Sequence, residues 1–288
     1  MVELAVVLGI VALVLGALLP LFTAQAANAR ISLTRAHQDA IRAALITYVG
    51  RNGYLPCPAD GYLAATSSLY GHEARGAAVT GTPVLPPPLC TQLSTKAAPN
   101  PVTSKLYDTA SFNAAIPSVT IYRGVLPWLD LGLPEDVVND GWNQRISYVV
   151  SSLGVSGYAT REAISGMLGG LVMCNGTGSG SVLLTPAAVP AAMQGTPNQP
   201  CTDSANTKPL ISTQSAAVAL ISHGENGFGA FVPPQNPASN NGGTVKPWGT
   251  QASAAETANI DLGKNALVQT AYSRSFDDIV LWLTPNDL

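Results

Sequence analysis

The sequence predicts an α+β chain: one long N-terminal helix followed by a loop-rich head built on an antiparallel β-sheet. Three observations predict it. An apolar run from Leu4 to Phe22 passes without interruption into a segment of helical periodicity. That segment meets Asn52-Gly53, with Pro56 close behind, a combination that stops helices. Beyond it, short apolar or alternating stretches are bounded by Gly, Pro and Asn, as strands are.

The chain divides accordingly into residues 1–29, an apolar helix half; 30–53, an amphipathic helix half packed on the head; and 54–288, the head itself. No charged residue occurs between Leu4 and Ala29. In the second half, Leu33, His37, Ile41, Leu45 and Tyr48 recur at three- and four-residue steps. Ala36, Ala40 and Ala44 flank them, and Arg35, Gln38, Asp39 and Arg42 fall away from that stripe. One helix of about 50 residues would be roughly 75 Å long at 1.5 Å per residue. Two residues disturb it. Glu3 places a carboxylate almost at the start of the apolar run, and Pro20 has no N–H for the carbonyl of Gly16, making Ala12–Pro20 the expected weak stretch.

In the head, "GTPVLPPPLC" and "AAPNPVTS" read as loops, because three consecutive prolines at 86–88 exclude regular structure. Short helices are expected at Glu135–Asn139 and Tyr158–Met173. Strands are expected at Arg145–Ser151, Ser181–Leu184, Ala216–Ser222 and Asp278–Leu283, joined through long loops at Pro186–Pro209 and Pro233–Glu256. Packing that sheet against the second helix half is the simplest way to bury both apolar faces.

Composition narrows the function classes. Charged residues are 11%, the net charge is −3, and Gly (27) and Pro (22) are abundant. The 14 Lys and Arg are scattered, with no basic run interleaved with aromatics, so nucleic acid is not an expected partner. The cysteines Cys57, Cys90, Cys174 and Cys201 lack zinc spacing. Behind an export-competent N-terminus, disulfides are expected; of the three pairings four cysteines allow, the local one, Cys57–Cys90 and Cys174–Cys201, is favoured.

The apolar run has three readings. Its length suits a bilayer span. Ala24-Gln25-Ala26 is similar to a signal cleavage site, which would make the chain a secreted binding protein or enzyme, but an acid stands where such signals carry positive charge. The third reading is a helix that anchors in a membrane at one time and packs against its own kind at another.

The stretch "VELAVVLGIVALVLGALLP", with its acid, its uninterrupted apolar helix and its proline, resembles the N-terminus of type IV pilins and of the pseudopilins of type II secretion. "DGWNQRISYVV" is similar to the tryptophan turn and strand of pseudopilin heads, usually written Trp-Gly-Asn; here Asn143 follows Trp142 directly. "ISHGENGFGAF" is similar to their glycine-rich loop and "FDDIVLWL" to their closing strand. The family's acid is the fifth mature residue, after a leader ending in glycine. Only Met1 and Val2 precede Glu3, so the leader and two mature residues are expected to lie outside this chain.

The resemblance implies a non-enzymatic filament subunit, held in the inner membrane, processed and methylated by a prepilin peptidase and polymerised by pilus or secretion machinery into an extracellular filament of identical subunits. Met1, Glu3, Gly16 and Pro20 are the assembly residues it implies. A carboxylate inside a bilayer costs about 2.5–3.5 kcal/mol, so Glu3 needs a use, and a neighbour's α-amino group would supply one and set register. Pro20 would let the helix yield. The large polar head favours a surface pilus over a secretion pseudopilus.

Chemistry is sparse. His37, His72 and His223 are far apart, Ser222-His223 lacks a nucleophile elbow, and "NGTGSGS" lacks the lysine of a phosphate loop, so no catalytic residue is expected. No cofactor is required. Calcium is the one ligand weighed: Asp136, Asn139 and Asp140 near Trp142, and Glu225 and Asn226 in a glycine loop, offer oxygen donors, and some pseudopilins bind calcium so. Their spacing fits no EF-hand, and turn-forming Asx residues explain them as well.

Overall fold

A computed structural model describes residues 2–75, 90, 107–108, 120–151, 172–176, 216–234, 242–247, 251–260, 266–270, 273, 276–284 and 287–288. Helix α1 (Val2–Asn52) is a single run of 51 residues and ends where the sequence places the stop. Gly53 follows with φ 75° and donates its N–H to the carbonyl of Val49, the left-handed turn that terminates helices. Pro20 does not interrupt α1. Its missing N–H removes one bond of the ladder and leaves those on either side.

The strands are β1 (Tyr107–Asp108), β2 (Thr120–Val125), β3 (Ser147–Ser151), β4 (Val172–Gly176), β5 (Val218–Ser222), β6 (Phe231–Val232), β7 (Thr244–Val245), β8 (Ala266–Thr270) and β9 (Ile279–Leu283); a second helix, α2, spans Ala254–Ile260. The main sheet is antiparallel with order β1-β2-β3-β5-β9. The class is therefore α+β. A single turn of 3-10 helix at Glu135–Val138 stands where a short helix is expected. β5 is buried along its whole length, as suits a strand with neighbours on both edges and cover on both faces.

Several expectations need correction. Val172 and Met173, read as the end of a helix, belong to β4, which pairs in parallel with β8. The loop from Pro233 to Glu256 contains β7 and the start of α2. Strands β1, β2, β6 and β8 were not expected. Ser181–Leu184, Pro186–Pro209, residues 158–171 and Cys201 lie outside the described residues.

The packed stripe of α1 is also rotated from its expected position. Thr34, Gln38, Ile41, Leu45 and Val49 are buried, whereas Leu33 is exposed. Gln38 faces inward because its amide Nε2 donates to the carbonyls of Ile279 (2.9 Å) and Leu220 (3.4 Å), on adjacent strands β9 and β5. A satisfied amide is tolerated in a buried seam where an unpaired one would not be. Ile41, Leu45 and Val49 join one core with Tyr148, Val149 and Leu220 of the sheet. Cys57 and Cys90 are disulfide-bonded, closing the loop that follows α1, with Cα atoms 5.5 Å apart.

The tryptophan turn sits against α1. Asp140 Oδ1 accepts from the N–H groups of Trp142 and Gln144, and Asn143 takes φ 60°, the left-handed conformation that glycine favours and asparagine tolerates. Asparagine thus supplies at this position a conformation usually left to glycine. Gly141 is needed for another reason: a Cβ there would lie 2.3 Å from the carbonyl oxygen of Arg30. Gly141→Ala is expected to lever the turn off the helix and lower stability by about 1–3 kcal/mol, read as a shifted urea midpoint.

Candidate functional site

Two regions gather the residues singled out by sequence. The first is the free half of α1. Its described side chains are exposed or only partly covered as far as Leu33, and Thr34 is the first that is buried. Val7, Leu8, Ile10, Val11 and Leu13 are all exposed, the last by 75%. At about 100° per residue these five positions sweep more than half the circumference, so no single face of the chain's own head could cover them. Glu3 and Gly16 are exposed on the same half, and Pro20 is part of its backbone. Among the described residues no helix is long and apolar enough to cross a membrane; most side chains between Leu4 and Phe22 lie outside that description.

The second region is where the tryptophan turn meets the glycine loop after β5. Asp140 Oδ2 accepts from the hydroxyl of Ser222 at 2.7 Å, and Gln144 Nε2 donates to the carbonyl of Gly224 at 3.4 Å. Gly227, at φ 63°, lies so near the Gln144 amide that a Cβ there would come within 1.9 Å of Oε1. Burial pushes the Asp140 carboxyl above its ordinary range, while the hydrogen bonds from Ser222, Gln144 and Trp142 pull it back.

The oxygens proposed for calcium are therefore not pooled. Asp136 and Glu225 are exposed, Asn139 gives its carbonyl to His37 Nδ1 (2.7 Å), and Asp140 is occupied by protein donors. Asn226 uses its amide Nδ2 to donate to Glu256 Oε1 (2.6 Å) and Asp277 Oδ1 (2.7 Å), and its main-chain N–H donates to Asp277 Oδ2 (2.7 Å). Among the described residues no group of three or more His, Cys, Asp or Glu is arranged to hold a metal ion.

Beside this loop the structure assembles a row that the sequence did not reveal. Arg123 on β2 donates through Nη2 to the carbonyl of Gly229 (2.9 Å) and to Ser147 Oγ (3.2 Å), and lies 3.0 Å from His223 Nε2. A guanidinium only donates, so Nε2 accepts and the ring proton sits on Nδ1, 3.4 Å from Asp278 Oδ1. Ser147 Oγ is 3.1 Å from the same Nε2. Serine, histidine and aspartate thus stand in the order of a hydrolase triad, yet all three are buried and Arg123 occupies the space beside the hydroxyl. The histidine's serine partner is Ser147 across the sheet; its sequence neighbour Ser222 serves Asp140. The only hint in the sequence was an arginine inside the otherwise strand-favouring stretch "TIYRGV".

Compared with protein-family models, curated proteins and solved structures, the chain matches none.

Proposed function

We propose that the chain is a structural, non-enzymatic subunit of a type IV pilus-like filament. Its partners are identical subunits, with the inner membrane as its station before assembly and the cell surface after it. The observation that carries this reading is the free half of α1: apolar side chains around most of a helix that leaves the head behind need an apolar environment supplied from elsewhere. A membrane supplies it before assembly and a bundle of sister helices after it. Glu3 near the start of that half gives the bundle a charge to pair, and the packed half from Thr34 to Val49 fixes the head at its end. Pro20, with Gly16 one turn earlier, is where the helix would yield under assembly. Processing and methylation by a prepilin peptidase belong to the same proposal, as does handling by pilus or secretion machinery.

A secretion pseudopilus uses the same parts, and the tryptophan turn, with Asn143 standing in for glycine, is the feature that favours it. Negative-stain microscopy of fibres sheared from cells making this chain, with antibody against the head, tests the proposal. Labelled fibres are the expected result. Fibres that never carry the label, or a secreted protein lacking Glu3, overturn it.

A further inference from the structure

We propose that Glu256, Asp277 and Asn226 form a proton-operated clasp that fastens α2 to the glycine loop, tightest in acid and loosest above neutrality. The inference is independent of the filament reading. Its basis is geometric. Both hydrogens of the Asn226 amide are used, one on Glu256 Oε1 and one on Asp277 Oδ1, so two carboxyl groups converge on one neutral NH2. Glu256 and Asp277 are each at most 5% exposed. An amide cannot offset two negative charges, and buried carboxylates that converge keep one proton between them.

The remaining bonds hold both carboxyl groups in place around that proton. Glu256 closes a capping box on α2: its Oε2 accepts from the N–H of Ser253 (2.7 Å) while Ser253 Oγ accepts from the N–H of Glu256 (3.2 Å). With Oε1 accepting from Asn226, both Glu256 oxygens accept, and both Asp277 oxygens accept as well, from the Asn226 amide and main-chain N–H, so the one proton is shared by the pair. Burial, with the neighbouring Glu256 and Asp278 carboxyls, raises Asp277 to about 7, against the lowering bond from the Asn226 N–H.

The charged groups around the clasp come from every packed element. Glu225 extends from the loop but is exposed. Asp278 is held by Asn259 Nδ2 (2.7 Å) from α2 and faces His223 at the end of β5. Arg123 donates to the carbonyl of Ile260 (2.6 Å), the last residue of α2, and Lys246 joins the loop through main-chain bonds to Gly229 and Ala230. Because the folded pKa of Asp277 is raised, its contribution is complete below the ordinary aspartate range and is lost as pH rises to about 7.

Hydrogen exchange on the full chain in detergent micelles, as protection factors for the amides of 254–260, tests this between pH 4 and pH 9. The opening constant is expected to rise by up to about tenfold per pH unit as pH climbs toward 7 and to level off above it. Asp277→Asn, which mimics the protonated group, should flatten the profile with α2 still protected. Glu256→Gln keeps the capping acceptor while removing the opposing charge, and should reduce the slope. A flat profile in the unaltered chain, or a full slope in both variants, overturns the clasp.

Discussion

Glu3→Ala is expected to abolish fibres while leaving the head folded. In a bundle of apolar helices, removing one partner of a buried ion pair strands the other charge, at a cost of about 3–5 kcal/mol. That corresponds to a loss of more than about a hundredfold in the affinity of an incoming subunit. Glu3→Gln, which keeps an acceptor but not a charge, should assemble between these extremes. Since Glu3 is exposed and far along the helix from Thr34, the first buried residue, the unfolding midpoint of the head should not move in either variant. Normal fibres from the alanine variant would eliminate the pairing; a destabilised head would show that Glu3 acts through folding instead.

The second large effect is expected at Asp140. One carboxylate holds the N–H groups of Trp142 and Gln144 and the hydroxyl of Ser222, tying the tryptophan turn to the end of β5. Asp140→Ala leaves these buried donors unpaired, and at about 1–3 kcal/mol each, discounted for relaxation, the loss is on the order of 3–5 kcal/mol. Asp140→Asn keeps Oδ1 for the two N–H groups and offers Nδ2 to the serine oxygen, so it should fall within about 1 kcal/mol of the unaltered chain. Burial raises the Asp140 carboxyl, so its contribution is greatest in acid and declines as pH rises through its folded value. Urea titrations of the three proteins at pH 5 and pH 8 check both points. Equal losses for alanine and asparagine would place the effect in the charge, not in the bonds.

The extent and end of α1 were legible in the sequence because an apolar run, a periodic continuation and an Asn-Gly stop all agree. Strands at 145–151, 216–222 and 278–283 were legible for a similar reason, as apolar runs between turn residues. The phase of the helix stripe was misread because an apolarity rule puts Leu33 inside and Gln38 outside. The actual packing follows two carbonyls on β5 and β9 that no local pattern announces. β2 escaped notice since Arg123 and Gly124 interrupt its alternation. The pairing of β4 with β8 joins residues some ninety positions apart, and parallel pairing leaves no local trace.

The same division runs through the candidate site. Asp140 and Asn226 stood out locally as turn residues, and both do organise turns. Their decisive partners are Ser222 and Asp277, 82 and 51 positions away, so the sequence showed the donors and acceptors without their pairing. The Cys57–Cys90 bond was legible because both cysteines frame one loop after the helix.

The grip between helix and head bears on how the molecule would carry tension. Within little more than one helical turn, three side chains fasten α1 to two segments of the head, the tryptophan turn and β9. Thr34 Oγ1 accepts from the N–H of Gly141, His37 Nδ1 donates to the carbonyl of Asn139, and Gln38 Nε2 donates to the carbonyl of Ile279. A pull along the helix axis meets these bonds sideways and together, as a row of rivets loaded in shear, before it reaches the apolar contacts at Ile41 and Leu45. The main sheet, whose strands β5 and β9 both accept from Gln38 in that row, then receives the load across its width.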